Sequence, residues 1–307
     1  MTREERNKEI QEELKRKEEQ KETLKKVGKV TKIVLIIVLI VSSFILYARF
    51  VSTSFLVVRE YKVTSPNLPT NFTGFKIVQF SDLYYGSTID TEDLQDIVDK
   101  INELKPDLVV FTGDLIAPNY TLEDGEQENI TNLLKSITST VGKYAVNGNN
   151  DIQNEVFESI LLGSDFKYLN NESDFIYYQN QTPILLSGTS TLYQGNADVT
   201  KTFQDKNTNA YYTISLMHEP DQIETIVANR KIDLALAGHS LNGQIRIPRI
   251  GAIIHPMGAQ NYHNEHYLVS TTSNTTELFV SGGLGTDTAP FRLFNHPSIN
   301  FYRLYKS

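Results

Sequence analysis

The 307-residue sequence predicts an α/β body preceded by one transmembrane helix. Three observations predict it. Ile33 to Ala48 carry no charge; from Phe75 onward, apolar runs of strand length alternate with amphipathic helical stretches; and acidic, amide or histidine residues follow the ends of those runs. Charged residues at 21% and hydrophobic residues at 40% belong to a chain that buries a sizeable core. They exclude a polytopic membrane protein, a collagen-like chain and a wholly disordered one.

The apolar run is the first element. As a helix, sixteen residues reach about 24 Å against a hydrocarbon core of about 30 Å, so Lys32 and Arg49 must snorkel or the flanks contribute. Only Ser42, Ser43 and Tyr47 interrupt it, with no polar face, which argues against a buried core helix. A leader of about thirty residues and the lack of an A-x-A site after Leu46 make it an uncleaved signal anchor. Eight Lys and Arg precede the span within about twenty residues and three follow it, so the leader is expected in the cytoplasm and the body outside. Three segments follow: a charged cytoplasmic leader over 1–32, the anchor over 33–48, and an extracytoplasmic body over 49–307.

Charge is divided between the segments. The leader holds 11 of the 29 basic and 8 of the 37 acidic residues, which leaves the body 18 against 29, or about -11. An acidic body without clustered Lys and Arg disfavours nucleic acid as a partner. Glu4 and Lys8, Glu12 and Arg16, Glu13 and Lys17, and Glu22 and Lys26 have the i,i+4 spacing of a solvated helix, and no heptad seam is sustained.

In the body, Phe55 to Val63 reads as β-rich and leads to a turn at Ser65 to Pro69. Phe75 to Phe80 is a strand ending in Ser81-Asp82. Thr91 is placed to cap a helix whose core face is Leu94, Ile97, Val98, Ile101 and Leu104. Leu108 to Thr112 is a strand running into Gly113-Asp114. A helix over Glu126 to Ser139 precedes the strand Lys143 to Val146 and Gly148-Asn149-Asn150-Asp151. Strands are expected at Ile184 to Ser187, Tyr211 to Met217 and Leu234 to Ala237, with a helix over Asp221 to Asn229; His218 and His239 follow two of these strands. There is no P-loop, no G-x-G-x-x-G and no internal repeat.

Side chains just beyond strand ends converge on one crevice in α/β folds. The series Asp82, Asp114, Asn149, His218 and His239 supplies oxygen and imidazole donors, the set that divalent cations take, and a carboxylate can bridge two such ions. Zero cysteines exclude thiolate zinc sites, disulfides and a cysteine nucleophile.

Four segments resemble the calcineurin-like metallophosphoesterases, in particular a membrane-anchored bacterial branch, over about residues 55 to 305: Ile77 to Gly86, Pro106 to Asp114, Gly142 to Asp151 and Ala237 to Arg246. Gly282 to Thr286 with Arg292 adds to the likeness. The resemblance implies a four-layer α/β/β/α sandwich with a two-metal site at its sheet edge, hydrolysing phosphomonoesters, phosphodiesters or pyrophosphates. It also implies that one ion uses Asp82, Asp114 and the residues at 84 and 241, and the other Asp114, Asn149, His218 and His239. The residue at 150 would serve the leaving oxygen or the phosphate.

This chain departs from the family pattern at three places, where Tyr84, Asn150 and Leu241 stand for histidines. Leucine cannot ligate, a neutral phenol ligates poorly, and Asn150 donates a hydrogen bond but no proton. The expectation is one divalent ion (Mn, Fe, Zn or Mg) per chain on the intact set, with Tyr84 and Leu241 as degenerate ligand positions. Function is then a membrane-tethered, weakly active or inactive member that binds a phosphorylated small molecule, lipid headgroup or partner. The alternative is an active extracytoplasmic phosphoesterase for an envelope phosphodiester or lipid-linked pyrophosphate. Whether His263 or His266 completes the degenerate half stays open, and His255 and His296, each before a proline, are given no role.

Overall fold

The computed structural model describes residues 2–152, 154–193, 195–287 and 289–307. They form two units, Met1–Ala48 and Arg49–Ser307. The first is dominated by helix α1 (Arg3–Leu46), capped at Thr2 by a box in which Thr2 and Glu5 exchange side-chain and backbone hydrogen bonds. Charged and apolar halves make one uninterrupted helix, because no proline intervenes and most residues are good or tolerated helix formers. Glu13 and Lys17 close to 2.7 Å. A π turn, Tyr47–Val51, continues it, and Arg3–Val51 is long and apolar enough to cross a membrane.

In the body, β1 (Val57–Ser65), β2 (Lys76–Phe80), α2 (Thr91–Glu103), β3 (Leu108–Phe111), α3 (Glu126–Lys135), β4 (Gly142–Ala145), α4 (Phe157–Gly163) and β5 (Phe166–Tyr168) come first. Then follow β6 (Glu172–Ile176), β7 (Ile184–Gly188), α5 (Val199–Thr202), β8 (Thr213–Leu216), α6 (Gln222–Asn229) and β9 (Leu234–Ala237). The short hairpin β10 (Arg246–Ile247) and β11 (Gly251–Ala252), β12 (His266–Ser270), β13 (Thr275–Val280) and β14 (Ser298–Lys306) complete the chain. Among the described residues, two six-stranded sheets form, ordered β1-β14-β2-β3-β4-β5 and β12-β13-β9-β8-β7-β6. The α/β fold and its layers are as the sequence predicts.

Strand alternation makes the layers. Val78, Phe80, Val109 and Phe111 face α2, α3 and α4, burying Leu94, Ile97, Val98, Ile101, Ile130, Leu134 and Ile160. Their neighbours Ile77, Leu108 and Val110 face the other way, onto Ile184, Leu186, Ile214, Leu216, Leu234 and Leu236 between the sheets. Leu185, Ala235 and Ala237 then cover Ile223 and Ile226 of α6. Sheets buried on both faces explain why these strands read as solid apolar runs.

Local details differ from expectation. The cap of α2 is Asp90, which accepts from the N–H groups of Glu92 and Asp93 at 2.9 and 3.0 Å; Thr91 is the first helical residue and gives its hydroxyl to a 2.7 Å contact with Tyr85. An aspartate with its carboxylate at the helix dipole outcompetes a neighbouring threonine. Helix α3 ends at Lys135, four residues before the expected Ser139, where Ser136 bonds back to Leu133. Strand β8 covers only Thr213–Leu216, shorter than Tyr211 to Met217.

Candidate metal centre

Strands β2, β3, β8 and β9 end side by side, and each delivers its last turn to one place. Asp114, His218 and His239 bring a ligand atom each within 4.8 Å of one another. Asp82 is joined to them through the His239 N–H, 3.1 Å from both of its carboxylate oxygens. Asn149 sits between Gly148 and Asn150, both of which touch Asp114: a Cβ on Gly148 would meet Asp114 Oδ1 at 2.1 Å, and the Asn150 N–H donates to that oxygen at 2.9 Å. The five residues singled out in the sequence thus converge, with Tyr84, Asn150 and Leu241 around them.

Backbone strain falls on part of this set, as it does at turns elsewhere in the body. Asp82, Tyr84, Asp114, His239 and Leu241 all have left-handed φ, between 46° and 66°. Each costs roughly 1 kcal/mol or more in a non-glycine residue, and such strain gathers at functional sites. It persists at Tyr84 and Leu241, so the two turns keep their shape with altered side chains.

Two histidines have their ring orientation fixed by carbonyls. His218 Nδ1 lies 2.6 Å from the Thr112 oxygen and His239 Nε2 lies 2.8 Å from the Met257 oxygen. A carbonyl only accepts, so these nitrogens carry protons, which leaves His218 Nε2 and His239 Nδ1 as the ring nitrogens that could ligate a cation once they hold no proton. His239 Nδ1 and Asn149 Oδ1 are buried without a hydrogen-bond partner, and His218 Nε2 faces the Asp114 carboxylate at 3.3 Å. Buried acceptors left without partners are costly unless a cation takes them. The donor set fits a divalent metal.

On the other side of Asp114 stand the residues that replace the family's histidines. The Tyr84 hydroxyl donates to Asp114 Oδ2 at 2.8 Å, and Asn150 Nδ2 donates to the same oxygen at 2.8 Å. Burial, reinforced by the charges of Asp114 and Asp82, pushes the Tyr84 phenol well above its usual range. Leu241 is 4% exposed and packs where a Cβ on Gly283 would meet its methyl at 2.2 Å. His263 stacks on His255 at 3.7 Å, and His266 lies against Phe279 and 3.5 Å from Glu277. Among the described residues, neither joins the group of Asp114, His218 and His239. His296 Nδ1 meets the Ser52 carbonyl at 3.3 Å.

Electrostatics follow from burial. Burial alone would raise Asp114, but the neighbouring His218 and the Asn150 N–H hold it at about 2. Asp82 rises to about 7, through burial and, against the pull of His218, the charge of Asp114. Burial opposes a charged His218, yet Asp114, 3.3 Å away, outweighs it and raises the ring; His239 is lowered by burial and by His218.

Two supporting residues had no role assigned from sequence. Asp151 accepts from the N–H groups of Asp114, Leu115 and Gly148 at 2.7 to 2.9 Å, tying the loop after β3 to the loop after β4. Its signal was its place directly after Asn149-Asn150. Arg292, fully buried, donates to the carbonyls of Gly282 and Gly285 and holds the turn that backs Leu83 and Tyr84; burial lowers it to about 9, against the pull of Asp82. Gly113 is needed for close approach: its φ is +93° and a Cβ would meet the Gly148 nitrogen at 2.4 Å. Gly113→Ala is expected to cost more than about 1 kcal/mol in chemical denaturation, because backbone rather than a movable side chain blocks the methyl. Beside Asn149, Asn150 and His239 opens a cleft of about 960 Å³ lined also by Glu123, Asp124 and Glu155, with no Lys or Arg in its described lining.

Strand-end donors at the edge of a β-sandwich with helices on both outer faces define a metallophosphoesterase, and the calcineurin-like phosphoesterase family model matches residues 75–243. The chain belongs to that family. It is 31% identical to the metallophosphoesterase YkuE of Bacillus subtilis, over 84% of this chain and 88% of that one. It is 27% identical to a transmembrane protein with metallophosphoesterase domain of Danio rerio, over 70% of this chain and 52% of the relative, so it spans about half of that protein. Phosphodiesterase YaeI of Escherichia coli is 26% identical over 62% of this chain and 70% of its own length.

Proposed function

We propose that this chain is a membrane-tethered metallophosphoesterase-family protein that holds one divalent ion through Asp114, Asn149, His218 and His239 and binds a phosphorylated ligand with little or no hydrolysis. The observation that carries it is the asymmetry of Asp114. His239 Nδ1 and Asn149 Oδ1 are buried without hydrogen-bond partners and His218 Nε2 meets only the Asp114 carboxylate, 3.3 Å away, whereas Tyr84 and Asn150 spend their side-chain donors on Asp114 Oδ2.

A bound ion supplies Lewis-acid charge for a phosphate oxygen. The protein's own groups then divide into those that bind and those that no longer assist cleavage. Asn150 donates a hydrogen bond to Asp114 and has no proton to give a leaving oxygen. Tyr84 donates its hydroxyl to Asp114, and a phenol that keeps its proton is a poor ligand. Losing a general acid alone costs on the order of 10²- to 10⁴-fold in rate.

The apolar helix and the transmembrane relative support a tethered protein, and the basic leader supports a cytoplasmic N-terminus with the body outside the cell membrane. The phosphodiesterase name of one relative supports a phosphate-containing ligand, either a small molecule or a lipid headgroup.

Metal analysis tests the reading. Full-length protein exposed to manganese and freed of excess should retain about one ion per chain, and His218→Ala should retain none. Two tightly held ions, or wild-type phosphodiester turnover of ordinary enzyme magnitude abolished by His218→Ala, would establish the active phosphoesterase instead.

A further inference from the structure

The hairpin β10–β11 and the segment after it expose large apolar side chains in a run. Ile250 is 76% exposed, Ile253 56%, Ile254 68% and Met257 65%. Its turn closes through the Ile250 N–H on the Ile247 carbonyl at 3.0 Å, with Pro248 and a left-handed Arg249 (φ 70°) between. None of the described residues of the body covers them, and a run of exposed apolar side chains in a soluble surface marks a place of contact.

Three observations name the occupant. First, the patch is continuous with the start of the body. The Arg246 N–H donates to the Leu293 carbonyl at 2.9 Å; Phe294 shares a groove of about 510 Å³ with Arg246, Ile247, Arg249 and Ile250; and His296, two residues on, sets its ring at a tilt 5.1 Å from that of Phe55. Phe50, Val51 and Phe55 are themselves more than half exposed, and they directly follow the apolar run in the chain. Second, local charge opposes that of the body. Residues 234–264 contain no Asp or Glu but do contain Arg246 and Arg249, in a body of about -11. Third, apolar tips beside arginines are the composition of a segment that lies in a headgroup layer, buried about 5–10 Å.

We infer that the face formed by Phe50, Phe55, Phe294 and the isoleucine hairpin rests in the surface of the bilayer that anchors the chain, with Ile250 and Ile254 among the acyl chains and Arg246 and Arg249 at the level of anionic headgroups. The inference rests on the tethered reading above. It gives that reading a direction: Pro256 and Met257, at the end of the apolar segment, line the cleft beside His239, so the cleft opens at the lipid surface and a phosphorylated headgroup reaches it without leaving the membrane.

The chain has no tryptophan, so one introduced indole reports alone. Full-length Ile250→Trp and Ile254→Trp are compared with Leu162→Trp, an equally exposed apolar position on α4, in vesicles of phosphatidylcholine and phosphatidylglycerol with brominated acyl chains. Quenching at 250 and 254 should exceed that at 162 by about threefold or more, as expected for residues seated below the headgroups. The result does not depend on which way the chain inserts. Equal quenching at all three positions overturns the inference. Shielding that appears only as protein concentration rises in lipid-free detergent assigns the face to a second copy and also overturns it. Failure of the wild-type chain to partition into vesicles overturns the tether itself, which separates the two readings.

Discussion

Restoring three histidines, Tyr84→His, Asn150→His and Leu241→His, should convert the protein from one bound ion to two and raise phosphodiester turnover by orders of magnitude. The turns are already shaped for it, because residues 84 and 241 sit at φ 46° and 50°, a backbone cost the native Tyr and Leu already carry. Replacing Tyr84 frees Asp114 Oδ2 from the phenol, and Asp82 completes the oxygen donors. Leu241 and histidine are of similar size, so the contact at Gly283 need not open. An imidazole at 150 supplies the missing proton donor, worth about 10²- to 10⁴-fold. A second ion adds several kcal/mol of charge stabilisation. The checks are metal stoichiometry and hydrolysis of a chromogenic phosphodiester. A variant that folds but binds one ion would show that these positions are not the lost ligands. Two ions without a gain in rate would show that the defect lies elsewhere.

Asp114→Ala should abolish metal binding and lower stability by about 3–5 kcal/mol, the range for removing one partner of a buried charged group. No other side chain in the centre has so many dependants. The Tyr84 hydroxyl, the Asn150 amide and the Asn150 N–H all lose their acceptor, and His218 loses the carboxylate 3.3 Å from its Nε2. Tyr84→Phe removes one of these bonds and should cost only about 1 kcal/mol. Denaturation in metal-free buffer separates the two variants, because the larger loss must then come from the unpaired donors and not from a missing ion. A change under about 1 kcal/mol for Asp114→Ala would mean that water replaces the carboxylate and that the centre is more open than its buried side chains indicate.

The sequence carried more of the site than of its wiring. Asp82, Asp114, Asn149, His218 and His239 were legible because each follows an apolar run, and strand ends in an α/β sheet share one edge. Boundaries were less legible. Asp90 took the helix cap that Thr91 also fits, and the choice turned on which carboxylate or hydroxyl faced the free N–H groups. Asp151 and Arg292 could not be assigned from pattern, since their partners are backbone groups of distant loops.

What the sequence by itself determined is the apolar span, the alternation that builds two buried sheets, and the identity of every donor, because these depend on residue type and short-range period. Tertiary structure alone decided which lone pairs remain. The Thr112 carbonyl that orients His218 is 106 residues away in the chain, and the Met257 carbonyl that orients His239 comes from a loop with no regular period. The Tyr84 hydroxyl reaches Asp114 across 30 residues. Such contacts are set by packing of two sheets, where side chains meet neighbours that local sequence does not encode, and they decide which polar atoms around Asp114 are already hydrogen-bonded and which are not.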